Sequence, residues 1–319
     1  VFPLKNKTTT ITRLDLVPKY IKRIVGDIKL KRKLTVVVDA ANGVGGVVGV
    51  PLFEQLGCDV IPLYCDVDGN FPNHHADPTK EENLKDLMKM VKRVNADVGI
   101  GFDGDVDRLG GCDEQGNMLA GDRLLALFAE QILKDKPGAT ILGEVKCSRS
   151  LYERVEKLGG KAIMWRTGHS HIKSAMKQFQ AEIAGEMSGH IFFKHRWYGF
   201  DDAIYSAARL LEIVASSKKP LSAHMAKIPQ RPNTPEIEFD CPDTRKFHVI
   251  EEATAYFKDT LGLEVVTIDG ARIEFPDGWG LLRASNTSPK LVMRVEADTP
   301  QRVKEIRKLI EDKVKQLNG

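Results

Sequence analysis

The chain has 319 residues, 42% of them hydrophobic and 29% charged, with a formal net charge of +3. It is long enough for two or three domains with sizeable cores, and its near-neutrality argues against a dedicated nucleic-acid surface. Five cysteines (Cys58, Cys65, Cys112, Cys147, Cys241) make no Cys-x-x-Cys pair, and no apolar run approaches the ~20 residues of a bilayer-crossing helix, so neither a zinc or disulfide framework nor a membrane partner is expected.

Apolar residues at helical spacing from Leu14 to Asp27 predict a helix, and 34–38 reads as a buried parallel strand. The run 39–46, rich in glycine, turns that strand into a helix ending near Leu56. A strand over 59–63, a long loop over 66–78, a helix over 81–92 and a strand over 97–102 complete an alternating unit. A second unit of similar plan follows: helix 122–133, strand 140–145, helix 150–158, strand 161–165, helix 171–179, short strand 182–185 and an apolar helix 201–215. Residues 216–235, with four prolines, read as a linker. Beyond it are a helix at 247–258, a hairpin turning at Asp269-Gly270, strands at 280–283 and 291–296, and a final helix from Pro300. The predicted fold class is two successive α/β domains of similar plan (1–117 and 118–225) and a smaller α+β domain (226–319).

The loop Asp103-Gly-Asp-Val-Asp-Arg108 directly follows the third strand. Alternate residues of an extended chain point one way, so Asp103, Asp105 and Asp107 are expected to converge on one hard cation. Oxygen-only ligation favours Mg²⁺ or Ca²⁺ over zinc, and Arg108 suits a phosphate on the same ion. A solvated acidic turn is the plain alternative. An EF-hand with Glu114 at its twelfth position fits worse, because Arg108 stands where that loop needs glycine. A haloacid-dehalogenase-type phosphatase also fits worse, because Asp107 stands where it wants Thr or Val. Gly185-Glu-Met-Ser-Gly-His190 offers a carboxylate, a hydroxyl and an imidazole to vicinal sugar hydroxyls, or is a polar turn. Arg283-Ala-Ser-Asn-Thr-Ser288 offers a guanidinium, hydroxyls and turn amides to a phosphate, or satisfies its own backbone. Lys146 and His169 each follow a strand, where open α/β sheets present ligand-binding groups.

These loops, with Asp68-Gly-Asn-Phe-Pro-Asn-His-His75, Arg166-Thr-Gly-His169 and Trp197-Tyr-Gly-Phe-Asp-Asp202, resemble the α-D-phosphohexomutases, most closely the bacterial phosphomannomutase/phosphoglucomutase branch. The resemblance runs over nearly the whole chain and implies domains two to four of a four-domain enzyme. It implies Mg²⁺ on Asp103, Asp105 and Asp107, and charge stabilisation by Arg108. Glu186 and Ser188 are expected on the sugar's 3- and 4-hydroxyls, and His190 on proton transfer. Arg283, Ser285, Asn286 and Thr287 are expected on the non-reacting phosphate, with Lys146 and His169 as further cleft residues. The implied reaction interconverts hexose 1-phosphate and 6-phosphate through glucose 1,6-bisphosphate or its mannose counterpart, using a phosphoserine on the family's first domain. No Ser-His-Asn occurs in these 319 residues. The chain alone is therefore expected to be inactive, a cytoplasmic monomeric piece of a longer mutase; the alternative is a non-catalytic sugar-phosphate-binding protein. A last domain movable about the 216–235 linker is also expected.

Overall fold

A computed structural model describes residues 13–285 and 288–318. The first unit runs α1 (Val17–Asp27), β1 (Thr35–Asp39), α2 (Gly45–Gln55), β2 (Asp59–Leu63), α3 (Lys85–Val94, preceded by a 3-10 turn), β3 (Val98–Phe102) and β4 (Leu109–Asp113). Its sheet has the order β2-β1-β3-β4, with β1 parallel to both β2 and β3 and only β4 antiparallel. β1 sits between two strands with helices on both sides, which is why Val36, Val37 and Val38 form an unbroken apolar run rather than an alternating one.

The second unit repeats this plan. α4 (Gly121–Asp135), β5 (Thr140–Glu144), α5 (Arg149–Lys157), β6 (Lys161–Trp165), α6 (His169–Phe179), β7 (Ile183–Gly185), β8 (Ile191–Phe193) and α7 (Ala203–Ala215) build a sheet of order β6-β5-β7-β8, again with a final antiparallel strand. The two units share one apolar cluster that includes Ile24, Leu52 and Phe53 from the first and Leu127, Phe128, Tyr205 and Leu210 from the second. Their sheets are thereby fixed relative to each other.

α8 (Leu221–Met225) leads to the third unit: β9 (Ile237–Asp240), α9 (Lys246–Ala255, running into a π turn), β10 (Glu264–Val266), β11 (Ala271–Phe275), β12 (Gly278–Ala284), β13 (Lys290–Ala297) and α10 (Pro300–Asn318). The antiparallel sheet, β10-β11-β12-β13-β9, carries α9 and α10 on one face over a core of Phe257, Ile273, Leu282, Met293, Val295 and Ile310. Its other face turns Trp279 and Leu281 towards Val145 and Met164 of the second unit.

Three expectations need correction. β4, β8 and β9 were not foreseen: β4 reads Leu-Gly-Gly-Cys-Asp, where two glycines erase the strand signal, β8 has only three residues and β9 only four. α6 begins at His169 rather than His171, with Gly168 at φ +119 in the preceding position. The stretch expected as a linker contains α8, and its end is stitched to β13 by Thr234 N to Val295 O (2.8 Å) and Ala297 N to Pro232 O (3.0 Å).

Candidate functional site

Two of the unforeseen strands, β4 and β8, place the site. The Asp-rich loop is the connection between β3 and β4, and the Glu186–His190 loop is the equivalent connection between β7 and β8. The two loops meet through an antiparallel bridge between Arg108 and His190, with Leu109 N donating to Gly189 O at 3.0 Å. Gly189, at φ +92, has no room for a side chain: a Cβ would lie 2.7 Å from Leu109 O.

One carboxylate oxygen from each of Asp103, Asp105 and Asp107 lies within 4.8 Å of the others. The aspartates converge as expected, but not by strand alternation. Residues 104–106 form bends, and Val106 takes φ +68, so a tight loop does the gathering. Asp103 is buried, Asp107 half-buried and Asp105 exposed. Burial pushes the Asp103 carboxyl above its ordinary range; hydrogen bonds from Arg108 oppose this and the neighbouring Asp107 adds to it. Crowded, partly desolvated carboxylates with oxygen-only donors fit a hard divalent cation such as Mg²⁺.

Arg108 is held by its own loop. Its backbone N–H and Nε donate to Asp103 at 3.1 and 2.8 Å, and Asp107 and Asp77 lie 3.7 and 3.6 Å from the guanidinium. Asp77, which the sequence did not single out, comes from the long 66–78 loop. That loop is fastened by Asn73 to Asn42 (2.7 Å) and by His74 to both oxygens of buried Asp39 (3.2 and 3.1 Å).

His190 Nε2 lies 3.3 Å from Asp107, and its Nδ1 lies 3.0 Å from Glu186 and 2.8 Å from the Ser188 hydroxyl. Burial alone would lower the His190 pKa, but the hydrogen bond to Glu186 and the charge of Asp107 raise it overall. The other oxygen of Glu186 accepts from Gly168 N at 2.6 Å, at the start of α6. His169 lies beside this group, 3.5 Å from Asp201 and stacked with His190 at 6.4 Å between ring centroids.

Glu144, at the end of β5 and fully buried, was also missed. It accepts from the Thr167 hydroxyl (2.5 Å) and Met187 N (2.8 Å) and lies 3.7 Å from Lys146 Nζ. Lys146 is further paired with Glu236 at 3.2 Å.

Arg283 stands at the end of β12. Its Nη2 is 3.2 Å from Asp269, and its buried Nε has no hydrogen-bond partner among the described residues. Asp269 in turn accepts from Thr167 N at 3.1 Å. Ser285 N donates to Lys290 O (2.9 Å), and the Ser285 carbonyl accepts from Lys246 Nζ (2.7 Å). Asn286 and Thr287 lie outside the described residues. A path of ion pairs and hydrogen bonds thus runs from Asp103 through Arg108, Asp107, His190, Glu186, the successive amides of Gly168 and Thr167, and Asp269 to Arg283. A cavity of about 530 Å³ opens beside it, at the junction of all three units, with Lys146 and Ser188 in its wall.

Family-wide sequence models match the chain in three consecutive stretches. They are phosphoglucomutase/phosphomannomutase alpha/beta/alpha domain II over residues 18–116, alpha/beta/alpha domain III over 120–231, and the C-terminal domain over 236–313. A phosphomannomutase/phosphoglucomutase of Pseudomonas putida is 52% identical over 299 residues, covering 93% of this chain and 64% of its own length. A phosphoglucomutase of Neisseria gonorrhoeae is 49% identical, covering 96% of this chain and 66% of its own. The crystal structure of a phosphoglucomutase/phosphomannomutase family protein from Burkholderia thailandensis superposes with a TM-score of 0.88 at 47% identity, over 95% of this chain and 65% of that one. The chain thus spans about two thirds of the length of these relatives. Matched in order by domains II, III and IV, it belongs to the phosphoglucomutase/phosphomannomutase family.

Proposed function

We propose that this chain is the metal-, sugar- and phosphate-binding part of a phosphohexomutase that interconverts hexose 1-phosphate and hexose 6-phosphate by way of a 1,6-bisphosphate. The observation that carries the reading is the polar path from Asp103 to Arg283, which ties three loops on three different sheets into one site. Asp103, Asp105 and Asp107 hold Mg²⁺, which supplies positive charge at the transferring phosphoryl group. Arg108, braced on Nε by Asp103 and paired at Nη1 with Asp77 (3.6 Å), takes phosphoryl oxygens. Glu186 and Ser188 grip the 3- and 4-hydroxyls, and Lys146 and His169 line the cleft. His190, held between Glu186 and Asp107, exchanges a proton with the reacting hydroxyl. Arg283, Ser285, Asn286 and Thr287 hold the other phosphate and so fix the sugar's distance from the metal. The phosphoserine belongs to a preceding domain, so this chain binds substrate without turning it over.

Titration calorimetry tests the metal assignment. Mg²⁺ should bind the chain, and Asp105→Asn with Asp107→Asn should weaken it by at least about tenfold while leaving the circular dichroism unchanged. Equal Mg²⁺ affinity in the double variant would remove the ion from this loop.

A further inference from the structure

Lys146 follows β5 in the turn 145–149, and the carbonyls of Val145, Lys146 and Cys147 are all held from the third unit. Arg272 of β11, itself 1% exposed, donates from Nη1 to Val145 O (2.5 Å) and Cys147 O (3.0 Å). Arg294 of β13 donates to the carbonyl between them, that of Lys146. Ser148 N donates to Asp122 within the second unit (2.9 Å), but Arg149 N donates at 3.0 Å to Glu296, which also accepts from the Trp279 indole at 2.9 Å.

The sheet register shows how one surface supplies all of these groups. Arg272, Leu281 and Arg294 lie side by side across β11, β12 and β13, and Glu274, Trp279 and Glu296 form the next row. Arg283 is two residues beyond Leu281 on the same face. Both guanidinia lie over the Trp279 ring, at 3.8 and 5.6 Å from its centroid. The tip of Lys146 is paired across the same boundary, to Glu236.

We propose that Arg272 and Arg294 are positioning residues for Lys146: by holding three consecutive carbonyls of the second unit, they couple the placement of Lys146 to the seating of the third unit. A cationic donor on a desolvated carbonyl is stronger than a neutral one, and its removal leaves an acceptor that water cannot readily reach. The face that presents Arg283 to a phosphate also sets the Lys146 backbone, so a single interface fixes the spacing of two ligand-binding groups. A shift of the third unit displaces both together. This rests on the reading of Lys146 and Arg283 as ligand-binding residues.

The test uses the full chain, with hydrogen exchange followed by mass spectrometry and calorimetric titration of glucose 1-phosphate into the wild type, K146M, R294M and the double variant. In R294M, amides 145–149 should exchange about tenfold faster, with β5 and β12 unchanged. K146M and R294M should each weaken binding about tenfold, and the double variant should bind no more weakly than K146M alone. R294K should restore most of the loss. Additive losses of about a hundredfold in the double variant, or unchanged exchange at 145–149, would overturn the proposal. If K146M binds as tightly as the wild type, the ligand reading of Lys146 fails by itself, and the exchange result, which needs no ligand, decides the positioning claim.

Discussion

Glu144 shows how much rests on single buried groups. Burial pushes its carboxyl up; Lys146 opposes this, and the nearby Glu186 adds to it. Its two oxygens serve three partners in three segments, so Glu144→Ala should destabilise the chain by about 3 kcal/mol, the cost of leaving two donors unpaired and the buried Lys146 with one carboxylate fewer. Urea unfolding of that variant checks it, and a loss under about 0.5 kcal/mol would show that water replaces the carboxylate. His74 gives a pH signature. Its hydrogen bond to Asp39, outweighing burial, raises the folded-state pKa above the ordinary histidine value. The folded state therefore holds the proton more tightly than the unfolded one. The resulting stabilisation is complete below about pH 6.5 and is lost as pH rises through the higher folded value. The urea midpoint should fall between pH 6 and 8 more steeply in the wild type than in His74→Gln, and identical slopes would remove the Asp39–His74 pair as a stability term. Residues such as Arg108, Glu186, His190 and Arg283 were legible in the sequence because each stands in or at the edge of a dense polar stretch after an apolar run. Glu144, Asp77 and Asp39 were not, because a carboxylate at a strand end or in a long loop looks the same whether it is solvated or buried.

At the scale of elements, loops are set by what touches them from below. Gly43, in the β1–α2 turn, abuts the backbone of the metal loop: a Cβ there would lie 2.7 Å from Gly104 O and 3.0 Å from Asp103 O. Backbone cannot step aside as a flexible side chain does. Gly43→Ala should therefore shift the Asp103–Asp107 loop and weaken Mg²⁺ binding about tenfold, a size typical of disturbed metal-site surroundings. Calorimetry would read it, and wild-type affinity would mean that the loop adapts. The sequence showed the parallel core of both α/β units, since runs such as Val36–Val38 have few other readings. It hid β4 and β8, which are short or rich in glycine and owe their existence to pairing with β3 and β7. With them it hid that the metal and sugar loops are equivalent connections in two copies of one plan, and so why they meet.

The whole molecule joins its parts in two ways. The first two units share a continuous apolar cluster, which fixes the metal loop against the sugar loop. The third is joined through polar groups on a small apolar patch, namely Arg149, Arg272, Arg294 and Glu296 around Trp279. No described helix is long and apolar enough to cross a membrane. Behind a serine-bearing first domain, this site should complete a mutase. ³¹P NMR of glucose 1-phosphate with Mg²⁺ checks this by comparing the chain alone with the same chain fused behind the N-terminal portion of the Pseudomonas putida relative. Glucose 6-phosphate should form with the fusion and not with the chain alone, and Asp107→Ala in the fusion should abolish it. Turnover by the chain alone, or a folded, Mg²⁺-binding fusion that converts nothing, would contradict the mutase reading.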